Sequence, residues 1–213
     1  EDSSCCYINI TQNDTAICFG DSVVLSVSAG TDFSDPCNLP LNLQNGITAY
    51  YPFCGNTDDI SSNNRHLTNV GAALTTDRDG NPNSAYYFDG DSAYLETQSF
   101  PTSITAYTFS AWVKFYGILD NGGIALQSGG SLGSYGIASL NSEIQARYRE
   151  LSGSTLINVN GGPFGPDWVH IVTTWDGGDT VRLYVDGSLD TTKGVSSNNV
   201  GFLNTFRIGN THA

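Results

Sequence analysis

The run WVHIVTTWDGGDTVRLYVDG, residues 168 to 187, constrains the fold more than any other stretch. Two alternating segments flank an Asp-Gly-Gly-Asp turn, which is the pattern of a β-hairpin. Comparable short runs recur at roughly ten-residue intervals through most of the chain. They are ITAYYPF, SAYYFDG, AYLETQ, YTFSAWVKF, GIALQSG, YGIASL, EIQARYR, TLINV and TFRIGN, with Gly, Asp and Asn between them. No window carries a 3.6-residue apolar period, so helices should be scarce. Many short strands with Gly-rich turns predict an all-β, antiparallel fold, a β-sandwich or a jelly roll.

The N-terminal part has a different texture. YINI and SVVLSVSA read as two strands, the second with Val23, Leu25 and Val27 on one side and Val24, Ser26 and Ser28 on the other. A connector with two prolines follows and ends in a turn at Asn45-Gly46. We place the boundary near residue 40, with an extended N-terminal β arm over 1–40 and the jelly roll over 41–213.

Eight basic against 21 acidic residues give a formal charge of −13. That field repels phosphate backbones and anionic lipid, so nucleic-acid binding is excluded as an expectation. It suits cations, neutral glycans or a surface kept soluble. No apolar run approaches the ~18 residues of a transmembrane segment. The chain opens EDSSCCYINI, as a cleaved secretory signal would leave it. Five cysteines without a CxxC pair, and glycosylation sequons at Asn9 and Asn13, fit a secreted or cell-surface protein.

Several segments together resemble the laminin-G-like, concanavalin-A-like jelly-roll domains of secreted bacterial proteins. They are GITAYYPFCGNTDDISSNN, LTTDRDGNPNSAYYFDGDSAYLE, YTFSAWVKF, the hairpin above with SLD after it, and FRIGN, in the family's order over about residues 44 to 210. TQNDTAICFGDSVVLSVSAG resembles the opening strands of a bacterial immunoglobulin-like repeat, which makes the arm a partial module of that kind. Relatives continue past the IGN strand into a hairpin, so the resemblance implies a sheet lacking its last strand. An open edge is a template for pairing. The arm around Tyr7 to Ile10 is a candidate to cover it, within one chain or between copies by strand addition.

The resemblance also implies calcium at the loop after the first segment, with Asp59 in the place of the family's acid. Calcium takes six to eight oxygen ligands, and Asn56, Asp58, Asp59 and Asn63 supply carboxylates and amides there. Asp89 is placed to approach the same loop. The alternative is a solvated turn. Asp77-Arg-Asp-Gly-Asn81 begins like an EF-hand but has Phe88 where the twelfth-position acid belongs, so it reads as a turn.

Related glucanases carry E-x-D-x-x-E on one strand for acid and nucleophile roles. Glu143 and Glu150 are seven apart without a central acid, so they face opposite sides of a strand and the chain is expected not to be an enzyme. Trp112, Trp168 and Trp175 are expected in the core, while Tyr135, Tyr148 and Phe164, near Gly-rich turns, are candidates to stack on sugar. Cys37 is expected to bond Cys54, and Cys18 to bond one of the vicinal pair, Cys6. The odd cysteine leaves one thiol for another chain. Two functions remain open: an adhesion or filament-type structural subunit, self-associating and calcium-stabilised, or a lectin-like module that binds extracellular glycans.

Overall fold

The structure, a computed structural model, describes residues 8–9, 28–29, 37–38, 45–116, 122–128, 134–140, 143–148, 166–195 and 204–209. The chain divides into two compact units, Glu1–Ile47 and Thr48–Ala213. In the first, β1 (Ile8–Asn9) pairs antiparallel with β2 (Ser28–Ala29), Ile8 opposite Ala29. Asn45 and Gly46 make the expected turn, with Gly46 at φ 78°.

The second unit is built on two main antiparallel sheets. Its strands are β3 (Thr68–Val70), β4 (Ala73–Thr75), β5 (Ala85–Tyr87), β6 (Tyr94–Thr97), β7 (Tyr107–Lys114), β8 (Gly122–Ser128), β9 (Ser134–Leu140), β10 (Glu143–Arg147), β11 (Trp168–Trp175), β12 (Thr180–Val185), β13 (Ser188–Gly194) and β14 (Thr205–Gly209). A six-stranded sheet runs β10-β9-β8-β14-β6-β3, and a four-stranded sheet runs β13-β12-β11-β7. β4 and β5 form a separate ribbon. Among the described residues no helix is long and apolar enough to cross a membrane.

The hairpin that opened the sequence reading is β11–β12, with Ile171 opposite Val185 and Trp175 opposite Val181. The period of two sends Ile171, Thr173 and Trp175 inward with Val181 and Leu183. Trp175 is 1% exposed, and its indole N–H donates to the Gly178 carbonyl at 2.9 Å, which ties the turn to the core. Gly177 is required in that turn: it sits at φ 83°, and a Cβ there would lie 2.2 Å from the Thr105 carbonyl oxygen. One core cluster joins Ile137, Ile144, Ala146, Ile171, Trp175, Val181 and Leu183 between the sheets. A second gathers Leu67, Leu95, Phe100 and Phe206, with Tyr51 and Phe53 packed against it. Each fully buried Ile or Leu contributes about 1.5–3 kcal/mol relative to exposure, so these clusters carry the fold.

One strand expectation changes, and the structure adds strands that the sequence did not signal. ITAYYPF is not a strand: residues 49–53 carry no ladder, and the Tyr50 N–H is instead taken by a side chain of the following loop. The short strands β3 and β4 and the exposed edge β13 had no sequence signal, because TNV, ALT and SLDTTKG are too short or too polar to stand out. The TFRIG strand, β14, lies inside its sheet, hydrogen-bonded to β6 on one side and β8 on the other. TLINV lies outside the described residues.

Candidate functional site

Asp59 is 2% exposed and organises the loop from Tyr50 to Arg65. Its Oδ1 accepts from the Tyr50 and Ser61 N–H groups, each at 2.9 Å. Its Oδ2 accepts from the Ser61 hydroxyl at 2.9 Å and the Arg65 N–H at 2.8 Å. Burial pushes this carboxyl up, but the bonds from Tyr50, Arg65 and Ser61 outweigh it and hold it below the ordinary aspartate value. A carboxylate has about four lone-pair sites, and protein donors already use four.

Calcium therefore does not fit through Asp59, because a cation would have to displace the N–H groups of Tyr50, Ser61 and Arg65, which have no other acceptor among the described residues. Its neighbours are engaged as well. Asn56 accepts from the Asp58 N–H, and Asn63 donates to the Thr48 carbonyl at 3.2 Å. The exposed Asp58 lies 3.4 Å from His66 Nδ1, which also accepts from the Asp59 N–H at 3.2 Å. Among the described residues no three His, Cys, Asp or Glu side chains are grouped to share an ion.

Asp89 closes its own turn. It accepts from the N–H groups of Asp91, Ser92 and Ala93 and from the Ser92 hydroxyl. The bonds from Ala93, Asp91 and Ser92 hold its pKa at about 2. Asp77 likewise caps the turn between β4 and β5, accepting from the Asp79 and Asn81 N–H groups. Cys37 and Cys54 are both disulfide-bonded. Asn9 lies in β1, whereas Cys6, Cys18 and Asn13 lie outside the described residues.

The outer face of the four-stranded sheet is built differently. β7 pairs β11 with Trp112 opposite His170 and Lys114 opposite Trp168. Residues directly opposite share a face, so these four side chains stand together with Ser110 and Val172. Trp112 is 44% exposed, which corrects the expectation that it lies in the core. Its indole stacks on the His170 ring at 5.0 Å and 22°. Arg78, held out by the Asp77 turn, places its guanidinium carbon 4.6 Å from the Trp112 centroid. Ser110 Oγ lies 2.9 Å from His170 Nε2. Burial and Arg78 push the imidazole down against the pull of Asp186, leaving it below its ordinary value and neutral near pH 7.

Past the end of β7, Tyr116 is 67% exposed and meets Tyr87 edge-on at 6.0 Å. Lys114 Nζ lies 5.6 Å from the Tyr116 centroid. The sequence held a signal for this face. In YTFSAWVK, Trp112 falls in phase with Thr108, Ser110 and Lys114, so the period of two puts it with polar residues. By contrast Tyr135 and Tyr148, read as sugar-stacking candidates, are buried against Trp175 and Tyr107. Phe164 lies outside the described residues.

The glutamates of the six-stranded sheet are far apart. Glu96 on β6 forms an ion pair with Arg207 on β14. Glu143 opens β10, four strand positions away. At about 4.8 Å per step that is roughly 19 Å. Glycosidase carboxyl pairs stand about 5–9.5 Å apart, so these two make no such pair.

Comparison with known proteins bears on this arrangement. No curated protein matches the chain. Among solved structures, one described as "Cell entry of botulinum neurotoxin type C is dependent upon interaction with two ganglioside molecules" superposes with a TM-score of 0.61 at 14% identity, covering 79% of this chain and 44% of the other. The botulinum neurotoxin serotype C1 binding domain gives 0.59 at 15% identity, covering 78% and 43%. The binding domain of botulinum neurotoxin DC in complex with SialylT gives 0.57 at 15%, covering 77% and 43%. The chain thus spans less than half the length of these structures, and at such identities the likeness is one of fold. The family profile described as the concanavalin A-like lectin/glucanases superfamily matches residues 89–213, more than half of the chain. With the jelly-roll sheets described above, the chain belongs to that superfamily.

Proposed function

We propose that the protein is a secreted, non-catalytic carbohydrate-recognition module that holds its ligand on the outer face of the four-stranded sheet. The observation that carries this is Trp112, exposed on a sheet whose other tryptophan-bearing face is packed as core. Sugar rings present C–H faces that pack on aromatic planes, and hydroxyls that need hydrogen-bonding partners beside them. The sheet offers both, with Trp112 and Trp168 for packing and Ser110 and neutral His170 for polar contacts. An exposed aromatic group of this size on a well-packed domain is more informative than scattered apolar residues. The disulfide-bonded cysteines support an oxidising, extracellular setting.

The neurotoxin comparisons name ganglioside and SialylT as partners of those proteins, which supports saccharide as a ligand class here. Adhesion through a glycan follows from the same reading. A filament built by strand addition is less well supported at β13. That edge is shifted in register beside Leu183 and Tyr184 and carries Asp190 and Lys193, features that discourage edge pairing.

A glycan array probed with the full chain and with Trp112→Ala tests the proposal. The expected result is selective binding by the wild type that falls at least about tenfold in the variant, a loss of ~1.4 kcal/mol. Binding of equal strength by both proteins would move the site elsewhere, and a blank array with a folded wild type would remove the carbohydrate reading.

A further inference from the structure

Resting on that reading, we propose that the saccharide is anionic, and that Arg78 and Lys114 bind its carboxylate where it lies along the outer side of β7. The chain has only eight basic residues among 21 acidic ones. Arg207 is paired with Glu96, and Arg182 with Asp176 at 2.9 Å. Arg78 and Lys114 instead lie over aromatic rings of the exposed face. Lys114 has no carboxylate partner among the described ion pairs. Arg78 touches Asp79 at 3.4 Å, with both side chains substantially exposed. An exposed contact of that kind contributes little and exchanges easily for a ligand.

The spacing suits an extended chain of sugars. Trp112 and Lys114 stand two residues apart on the same face of β7, about 7 Å, and Tyr116 follows two residues past the end of the strand. The aromatic groups meet the flat faces of successive rings, while the cations meet the acid group between them. A guanidinium presents N–H groups in a planar fork that matches a carboxylate, and such charge-assisted bonds are the strong ones. Of the nearby acids, Asp186 is already engaged by the His170 N–H at 2.9 Å.

The formal charge of −13 acts against any anion. Screening decides between the two effects. At physiological ionic strength the Debye length is about 8 Å, so distant carboxylates are largely screened, while cations in direct contact are not. Added salt should therefore weaken binding. If the net charge governed, salt would strengthen it.

Titration calorimetry on the full chain, with matched saccharide pairs, tests this. The probes are a uronic-acid oligosaccharide with its carboxyl-reduced counterpart, and a sialylated oligosaccharide with its desialylated counterpart. The expected result is that the charged member of at least one pair binds about tenfold tighter. Arg78→Gln and Lys114→Gln, checked for unchanged melting, should each bring it towards the neutral member's affinity. Equal affinity within both pairs overturns the anionic proposal and leaves the carbohydrate reading standing. A charge preference that survives both substitutions overturns the assignment to these residues. Failure of every probe to bind overturns the anionic proposal, and the glycan array alone decides the carbohydrate reading.

Discussion

The Asp59 loop and the outer face of β7 and β11 use polar and aromatic residues to opposite ends. In the loop, one carboxylate takes four protein donors and the backbone wraps around it. On the sheet face, Trp112 stays 44% exposed, and Arg78 and Lys114 rest on rings, Arg78 with an exposed contact to Asp79 at 3.4 Å besides. A polar group whose bonding capacity is used up inside the fold is a building element, however suggestive its residue type. A group held in place with capacity to spare is available to a ligand. The difference separates the loop the sequence pointed to from the face the structure points to.

The two tryptophans of neighbouring strands sharpen that contrast most. Trp175→Ala should cost about 3–5 kcal/mol, since it removes a fully buried indole and its bond to Gly178. Trp112→Ala should cost no more than about 1 kcal/mol, the scale of an exposed cation–π contact, while weakening glycan binding. Urea melts of the two variants check this, and similar losses would erase the distinction.

Next in size is Asp59→Asn, which strands buried N–H groups. A loss on the order of 3 kcal/mol is expected, lowering the calorimetric midpoint by about 10 °C. A drop under about 2 °C would mean that the loop does not depend on this carboxylate.

The acid limb refines the same point. The folded state holds Asp59 below its ordinary value, near 3.9 when unfolded, so its contribution is full above that pH. It is lost as pH falls through the lower folded value. The stability gap between wild type and Asp59→Asn should accordingly narrow below about pH 4, and a gap independent of pH would contradict it. The smallest effect expected is that of calcium. Millimolar calcium or a chelator should move the wild-type midpoint by less than about 1 °C, whereas a rise of several degrees would show a bound cation.

Much of the architecture was legible, for a physical reason. Alternation in WVHIVTTW and TVRLYV reports one buried face directly, and Asp-Gly-Gly-Asp reports the turn between them. The role of Asp59 was hidden because its donors come from Tyr50 and Arg65, brought in by the loop and not by any local pattern. The same bonding removed ITAYYPF from the strands. Trp112 was readable from its polar phase-mates, but aromatic content alone suggests core. Nearby glycines suggest a rim for Tyr135 and Tyr148, whereas Tyr135 on β9 and Tyr148 just past β10 both pack into the core cluster.

The central claim is that saccharide binds on the outer face of the four-stranded sheet. It is tested most directly by following the three tryptophan indole N–H signals by NMR during titration with the best array ligand. The expected result is that the Trp112 and Trp168 signals shift progressively while Trp175 stays still. Saturable binding that leaves Trp112 unmoved, with shifts confined to the loop around Asp59, would contradict the account.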